Sequence, residues 1–407
     1  MADTIDPAIP DRRRPASLEP AAARSAPYDV SALRASEFPW ADRAIFMNHA
    51  SLGPIPERAR LALHRYNDAR AAAYRITGEH LNEVLATSRI LAARLINAEP
   101  AEIALTTNTS YGLQLAARML GLRSGDIVLA PDQEFPANVY PWMFLDRLGV
   151  RLELVPLTAQ GWPDESRLME RMADPRVKVL AISFVQFHTG HRANLAALSR
   201  AARDTQTYLV VDAIQGLGQI PFDVNAAPVD ILSCGAQKWL LSPWGSGFTY
   251  VRRELIERLE PTFPGWTAFA GTDDYTTLVQ YPRTFWSDAR RFELITLPFQ
   301  DFVGMNEALG LLHELSIEAI EVHLSRINQP VIDWALRRGI PLASPTGASG
   351  SGIVCLRVPS PDRVMAGLVE GGVVASYREG AVRLSPHCYN TIEEMERVVR
   401  LLDRHTG

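Results

Sequence analysis

The feature that most constrains the fold is a regular alternation of short apolar runs with helical patterns through the middle of the chain. Residues 61–96 are predicted to be helical, and the strands predicted after them are residues 103–107, 127–130, 151–155, 177–183, 208–211, 231–234 and 248–251. Strands that alternate with helices form parallel sheets with helices on both faces. We therefore predict an α/β fold with a mostly parallel central sheet.

The pattern changes after about residue 297. A long helical segment ends near Arg338, strand-like runs follow at residues 353–358 and 382–384, and a closing helix begins at Ile392. The start of this helix carries the residue types of a capping box, Thr391 and Glu394. This mixture predicts a smaller C-terminal α+β domain.

Length and composition agree with a cytoplasmic enzyme built from one large and one small domain. We predict a flexible tail over residues 1–35, a large domain over 36–296 and a small domain over 297–407. The tail contains a basic triplet at residues 12–14 but lacks the apolar core of a signal peptide. A net charge of −5 shows no nucleic-acid footprint, and three cysteines make no disulfide framework. No run of 18 apolar residues is present, so we expect no membrane partner.

The lysine content draws attention to one residue. The chain has 41 basic residues, and only two of them, Lys178 and Lys238, are lysines. A lysine amine can lose its proton when desolvated and form a Schiff base with an aldehyde cofactor, whereas a guanidinium is effectively always protonated. Taken alone, Lys238 is more simply a surface lysine. The residues around it favour a chemical role.

A carboxylate follows a neighbouring predicted strand. The apolar run before Asp212 ends at that residue, and the run at residues 229–234 delivers Lys238 to the same edge of the sheet. In open α/β sheets, ligands bind beyond the carboxyl ends of the strands. A lysine that holds pyridoxal phosphate (PLP) as an imine, and an acid that keeps its pyridine nitrogen protonated, would suit this edge. Alone, Asp212 could equally be a turn or helix-cap acid.

A place for the cofactor's phosphate is predicted earlier in the chain. Thr109 and Ser110 follow a strand and open an amphipathic stretch. The start of a helix is a ready anion site. Capping of free backbone N–H groups would be the simpler role for these hydroxyls. With Asp212 and Lys238 in place, we predict that both side chains bind phosphate.

Six motifs resemble, in order and spacing, the class-V aminotransferase family of fold-type-I PLP enzymes. This family includes cysteine desulfurases, kynureninases and isopenicillin N epimerase-like proteins. The motifs lie at residues 46–54, 108–110, 134–142, 211–218, 237–247 and 382–391. The resemblance covers most of the chain, from about Phe46 onward.

The resemblance implies roles for three residues that would bind the cofactor. Phe135 matches the aromatic residue that stacks on the cofactor, although it could also be an ordinary core aromatic. Gln215 matches the residue that hydrogen-bonds the phenolic oxygen. Gln237 stands immediately before the lysine, where relatives usually have histidine.

The resemblance also implies a substrate site and a partner. Arg383 matches the arginine that grips the substrate's α-carboxylate through its two-pronged fork, although most arginines are solvated surface charges. Asn48 and Ser51 would join it from an N-terminal segment, residues 36–60, that packs near the active site. Thr296 matches a threonine that reaches the phosphate of the partner subunit in a homodimer with a shared active site. The apolar run around Thr296 could instead be the core of one chain.

Two departures from the family pattern affect the expected chemistry. Gly235 stands where many relatives place a Ser or Thr that binds the phosphate. A desulfurase needs a nucleophilic cysteine before the substrate arginine, and residues 370–382 contain none. Cys234, Cys355 and Cys388 are more simply small buried hydrophobic residues, so a cysteine desulfurase of the usual mechanism is disfavoured.

We therefore expect a PLP-dependent enzyme that acts on an α-amino acid through Lys238, by an aminotransferase-type reaction and without a metal. A carbon–sulfur lyase or an epimerase of the same family is the alternative. The competing class is a catalytically idle PLP fold that serves as an interaction module. The joint presence of Lys238, Asp212 and Gln215 argues against that class, because a scaffold needs none of them.

Overall fold

The computed structural model describes residues 27–406. In this part of the chain the strands are β1 (Ile45–Phe46), β2 (Ile103–Leu105), β3 (Ile127–Pro131), β4 (Arg151–Val155), β5 (Val177–Ser183), β6 (Tyr208–Asp212), β7 (Ile231–Gly235), β8 (Gly247–Val251), β9 (Val354–Leu356), β10 (Val373–Val374), β11 (Ser376–Arg378) and β12 (Ala381–Leu384). The α-helices are α1 (Val30–Glu37), α2 (Glu57–Ala71), α3 (Gly78–Leu95), α4 (Thr109–Met119), α5 (Tyr140–Met143), α6 (Glu165–Met172), α7 (Leu195–Asp204), α8 (Arg253–Arg258), α9 (Phe299–Leu315), α10 (Ile317–Arg338), α11 (Pro361–Glu370) and α12 (Ile392–Thr406).

The centre of the molecule is a seven-stranded sheet with the order β2-β8-β7-β6-β5-β3-β4. Six of its strands run in one direction, and β8 runs antiparallel to its neighbours β2 and β7. Every strand predicted for this sheet is present, with no boundary displaced by more than two residues. The predicted α/β class with a mostly parallel sheet is confirmed.

Helices cover both faces of this sheet, because its central strands are apolar on both sides. Leu209 of β6 packs in a core that includes side chains of α3, α7 and α9. Its neighbour Val210 packs in a second core with side chains of α4, α5 and α8. Side chains alternate across a strand, so one apolar run supplies both cores.

The C-terminal part forms a separate layer. Strands β11, β12 and β9 make an antiparallel sheet that packs with α10, α11 and α12 in a third apolar cluster. Helix α12 starts with the predicted capping box: the Glu394 N–H donates to Thr391 Oγ1 (3.2 Å), and the Thr391 N–H donates to Glu394 Oε2 (3.1 Å). The predicted long helical segment is two helices, α9 and α10, separated at Ser316, which has a φ of 69°.

Packing across the predicted domain division is extensive. Helix α9 contacts α2 and α3, so it belongs to the core of the large domain although it follows residue 297. Strand β1, placed in the large domain from the sequence, pairs in parallel with β10 of the C-terminal layer. The exact division of the chain into domains stays a prediction.

The N-terminal tail prediction is wrong for its last residues. Residues 1–26 lie outside the described part of the chain, but α1 begins at Val30, within the predicted tail. The Asp29 side chain accepts hydrogen bonds from the N–H groups of Ser31 and Ala32 and so caps this helix. Arg34 then donates to Glu394 Oε1 (2.8 Å). A cap and a partly buried ion pair thus hold a stretch whose composition suggested flexibility. None of the helices in residues 27–406 is long and apolar enough to cross a membrane.

Candidate active site

Asp212 and Lys238 meet at the carboxyl edge of the central sheet. Asp212 is the last residue of β6, and Lys238 lies three residues after the end of the parallel neighbour β7. Burial raises the pKa of Asp212 to about 7, opposed by the hydrogen bond that its Oδ1 accepts from the Ile214 N–H (3.0 Å). Burial lowers the pKa of Lys238 to about 8, opposed by the charge of Asp212. The predicted pair is thus an amine that can be neutral near neutral pH beside a buried acid.

The ring of Phe135 lies over the lysine. Lys238 Nζ is 5.5 Å from the centroid of this ring. Phe135 remains 41% exposed, and its ring lies nearly perpendicular to that of Phe187, with the two centroids 5.3 Å apart. A half-exposed aromatic face beside a reactive amine is unlike a core aromatic, which would be covered on both faces.

The amino end of α4 reaches the end of β7. Asn108 caps this helix by accepting from the Tyr111 N–H (2.9 Å), so the hydroxyls of Thr109 and Ser110 are not its caps. Thr109 is buried and its Oγ1 accepts from the Gly235 N–H (2.8 Å), whereas Ser110 is exposed. The simpler capping role considered for the two hydroxyls therefore falls to Asn108.

The glycine at position 235 lies in close contact with the start of α4 and with Gln237. A Cβ built on this residue would lie 3.2 Å from both the backbone nitrogen and Oγ1 of Thr109, and 2.6 Å from Gln237 Oε1. A Ser or Thr here would therefore need the start of α4 to shift slightly and the Gln237 side chain to move away. The Gln237 side chain reaches into the space that such a residue would use.

The amide of Gln215 is buried and fully oriented. Its Nε2 donates to the Ala50 carbonyl (2.9 Å), and its Oε1 accepts from the indole Nε1–H of Trp239 (2.8 Å). Gln215 is three residues beyond Asp212, and Trp239 directly follows Lys238. The structure therefore brings Gln215 into the same site as the acid and the lysine.

Arg383 is buried in β12 and held by three hydrogen bonds. Its Nε donates to Ser376 Oγ (3.1 Å), Nη1 to the Phe187 carbonyl (2.8 Å) and Nη2 to Ser51 Oγ (2.7 Å). Burial lowers the pKa of this guanidinium to about 10. Since an arginine has five N–H donors, one donor on each terminal nitrogen remains. Such a pair matches a carboxylate.

The two other predicted substrate residues, Asn48 and Ser51, lie just after β1, where the chain turns. Ser51 contacts Arg383 directly. Asn48 bridges to Ser385 through its backbone, and its buried Oδ1 has no hydrogen-bond partner in the described residues. Gly53 continues the segment against the lysine, since a Cβ there would lie 2.0 Å from the Lys238 carbonyl oxygen. Ser51 and Gly53 thus pack on the site, and the role of the whole segment 36–60 stays a prediction.

Thr296 lies on the surface of the protomer. It is exposed, as are its neighbours Leu294 (38%) and Ile295 (44%), while Leu297 is buried. The apolar run is therefore not simply the core of one chain. Whether Thr296 reaches a partner's site stays a prediction.

Glu134 is a residue whose importance sequence reasoning missed. Its buried Oε1 accepts from the Ser183 N–H (2.8 Å) and from Gln186 Nε2 (2.6 Å), and Oε2 accepts from Asn138 Nδ2 (3.2 Å). Burial raises the pKa of Glu134, and its charge in turn contributes to the raised pKa of Asp212. The available signal was its place directly before Phe135 in a family motif.

Comparison with known proteins places this geometry in a family. The family model described as Aminotransferase class-V matches residues 55–336. The uncharacterized aminotransferase YcbU of Bacillus subtilis is 30% identical over 308 residues, which are 75% of this chain and 80% of the relative. The chain belongs to the class-V aminotransferase family. A cysteine desulfurase of Klebsiella pneumoniae is 28% identical over 410 residues, covering 93% of this chain and 98% of the relative.

Solved structures of class-V enzymes share the fold of this chain. The apo cysteine desulfurase from Thermococcus onnurineus NA1 has a TM-score of 0.81 at 22% identity, covering 92% of this chain and 98% of that one. The cystine C-S lyase C-DES in complex with cysteine persulfide has a TM-score of 0.80 at 21% identity, covering 90% and 99%. The fold is that of the fold-type-I PLP enzymes, and the protein is a PLP-dependent enzyme that acts on an amino acid.

The residues of this class-V site fit the cofactor. A helix start offers backbone N–H groups and hydroxyls to a phosphate, and Asp212 Oδ2 accepts no hydrogen bond from residues 27–406, which leaves it for a ring N–H. The amine of Lys238 is desolvated, and Phe135 presents an aromatic face beside it. The donor set therefore matches a phosphorylated pyridine aldehyde.

The cysteines of this class-V chain are not placed as nucleophiles. All three are free and buried. Burial raises the pKa of Cys355 to about 12, and it also raises the pKa values of Cys234 and Cys388 well above the usual range. A buried thiol with a raised pKa is inert.

Proposed function

We propose that this enzyme transfers the amino group of an α-amino acid, with Lys238 as the residue that binds PLP covalently and then moves the substrate's α-proton. The observation that carries the proposal is the desolvated amine of Lys238, with a pKa of about 8, beside the buried carboxylate of Asp212. An amine with such a pKa can both attack a carbonyl and act as an acid or base near neutral pH. PLP, when bound, supplies an electron sink for the substrate's α-carbon.

The cofactor would be held at four points. Thr109 and Ser110, with the free N–H groups of α4, would bind the phosphate, and Gln237 would support this grip at Gly235. Asp212 would keep the pyridine nitrogen protonated. The remaining contacts would come from the ring face of Phe135 and the amide of Gln215.

The substrate would be an α-amino acid bound by its carboxylate. Arg383 keeps one N–H free on each terminal nitrogen, and its other three donors are fixed by protein oxygens. Bidentate contact with a carboxylate is a strong charge-assisted interaction. Ser51 holds the guanidinium in place, and we assign Asn48, whose buried Oδ1 has no hydrogen-bond partner among the described residues, to the same substrate site.

A carbon–sulfur lyase is the second candidate, because relatives of comparable coverage carry out chemistry at sulfur. All three cysteines are buried, which argues against a desulfurase reaction, because that reaction needs a nucleophilic thiol on the enzyme. Their burial does not bear on elimination, which needs only a base at the α-carbon and a leaving group on the substrate. The aminotransferase name of the 30% identical relative supports transfer as the first choice.

The two reactions, and epimerisation, are separated by their products. With a panel of amino acids and no acceptor, transfer yields keto acid only up to the amount of enzyme, and turnover begins when a second keto acid is added. Elimination releases ammonia continuously without an acceptor, and epimerisation inverts the stereocentre without any keto acid. Ammonia release without an acceptor would replace our proposal with the lyase.

We also propose a homodimer in which Thr296 completes the neighbouring site. The support is the exposure of Thr296 beside two exposed apolar side chains, Leu294 and Ile295, in a segment that the family resemblance places at the partner subunit. Thr296→Ala should weaken PLP binding without lowering the melting temperature, and cofactor should be lost on dilution through the dimer dissociation range. A protein that sediments as a monomer and is fully active would contradict a shared site. The free thiols fit a reducing compartment, so we propose a cytoplasmic location.

A further inference from the structure

The amide of Gln215 is held in one orientation by two partners of opposite chemistry. Its Oε1 accepts from Trp239 Nε1, and its Nε2 donates to the Ala50 carbonyl. An indole N–H can only donate, and a backbone carbonyl can only accept. A flipped amide would therefore place two donors against each other at Trp239 and two acceptors against each other at Ala50. The orientation follows from the chemistry of the partners.

Trp239 is itself unable to move away. Its side chain is fully buried, and its carbonyl accepts a hydrogen bond from His387 Nε2 (2.9 Å). Two glycines make room for it: a Cβ at Gly218 would lie 2.2 Å from the Trp239 carbonyl oxygen, and a Cβ at Gly352 would lie 3.1 Å from indole Cη2. The packing therefore fixes the position of the indole N–H donor, which belongs to the residue after Lys238.

One N–H of the Gln215 amide is left over. The amide nitrogen carries two hydrogens, and one of them goes to Ala50. Each partner of the amide is next to a residue of the site in sequence: Trp239 follows Lys238, and Ala50 precedes Ser51, which holds Arg383. The orientation of Gln215 is therefore set by the same segments that carry the lysine and the carboxylate-binding arginine.

We propose that Trp239 is a positioning residue: its indole N–H fixes the Gln215 amide so that the second N–H of Nε2 donates to the phenolic oxygen of PLP. This inference rests on the proposed function of the site. It assigns a task to the bulky residue after Lys238 that the family resemblance does not assign. A mere space-filling residue would need no N–H at this position.

The role has a spectroscopic consequence. A donor to the phenolic oxygen lowers the basicity of that oxygen, so the visible absorbance band of the holoenzyme titrates at a lower pH. When the Gln215 amide can turn, the donor is weakened and the titration midpoint rises. We expect a rise of about one pH unit, a roughly tenfold change in the proton equilibrium.

The test is a double-mutant cycle read by the titration of this band in the holoenzyme. Trp239→Phe and Gln215→Leu should each raise the midpoint, and the double variant should show no further rise, because both changes remove one interaction. Trp266→Phe, which changes a tryptophan that is 43% exposed, should leave the midpoint unchanged. An unchanged midpoint in Trp239→Phe, or fully additive shifts in the double variant, would overturn the proposal.

A second variant separates the loss of the indole N–H from a loss of packing at Trp239. Replacement of Trp239 by β-(3-benzothienyl)alanine keeps the shape of the ring and exchanges the N–H for sulfur. This variant should fold and show the same rise, and a wild-type midpoint in it would refute the orienting role. A wild-type protein with no visible band on addition of PLP would instead refute the proposed function, so the two failures can be told apart.

Discussion

The substitution Arg383→Lys tests how the site recognises a substrate. It keeps the positive charge but removes the fork of donors. In the structure, three N–H groups of Arg383 are used by Ser376, Phe187 and Ser51, and two remain. A lysine ammonium has three donors at a single point and cannot satisfy these oxygens and a carboxylate together. At least one of the two contacts with the substrate carboxylate should be lost.

The size of the effect follows from the strength of that contact. A hydrogen bond to a charged group contributes about 1.5–3 kcal/mol. Since about 1.4 kcal/mol corresponds to a factor of ten, the KM for an α-amino acid should rise by about tenfold to about 150-fold. The corresponding amine, which has no carboxylate, should show no such rise. Steady-state kinetics with both substrates measure the difference directly.

Arg378→Lys is the matched control. Arg378 is an exposed residue of β11, and its Nη1 donates only to the Tyr377 carbonyl (2.9 Å). The same exchange at this surface position should change the KM by no more than about twofold, because surface substitutions are usually within about 0.5 kcal/mol. An unchanged KM in Arg383→Lys, or a large rise in Arg378→Lys instead, would refute the assignment of Arg383.

Three further predictions concern the cofactor. Because burial lowers the pKa of Lys238 to about 8 and only the neutral amine is nucleophilic, the rate of PLP capture by the apoprotein should rise with pH through about 8; a midpoint near the ordinary lysine value would contradict this. Ser110→Ala should weaken PLP binding at an unchanged melting temperature, whereas Thr109→Val should also destabilise the fold by about 1–3 kcal/mol, because the buried Gly235 N–H loses its acceptor; equal melting temperatures would count against this. Asp212→Asn should still bind PLP but lose most activity, since an amide cannot keep the pyridine nitrogen protonated; an active variant would remove that role.

The sheet could be predicted from the sequence because its strands are continuous apolar runs. Leu209 and Val210 face opposite cores, so the run carries no alternation that could be mistaken for a half-buried strand. The start of α1 was missed although Asp29 caps it locally, because the contact that fastens α1 to the rest of the fold joins Arg34 to Glu394, 360 residues away. Local composition around Arg34 contains no trace of that contact.

The sequence identified those site residues whose side-chain type itself indicates a chemical role. It did not predict the hydrogen bonds that orient the site residues. Lys238 and Asp212 were found from residue type and from the edge at which their strands end. The orientation of Gln215 depends on Ala50, which is 165 residues away in sequence, and that of Arg383 depends on Ser51, 332 residues away. These hydrogen bonds form only in the tertiary fold, so no local sequence pattern predicts them.

The central claim, that Lys238 holds the cofactor, can be tested by borohydride reduction of the PLP-loaded protein followed by peptide mapping. The chain contains only one other lysine, Lys178 in β5. Lys178 is therefore the only other lysine side chain that could carry the pyridoxyl label. Lys178→Arg should keep both the visible band and the label, and Lys238→Ala should lose both while folding normally. We predict a single pyridoxyl adduct on the peptide that contains Lys238. An adduct on Lys178, or a Lys238→Ala protein that still forms a reducible covalent complex, would contradict the account.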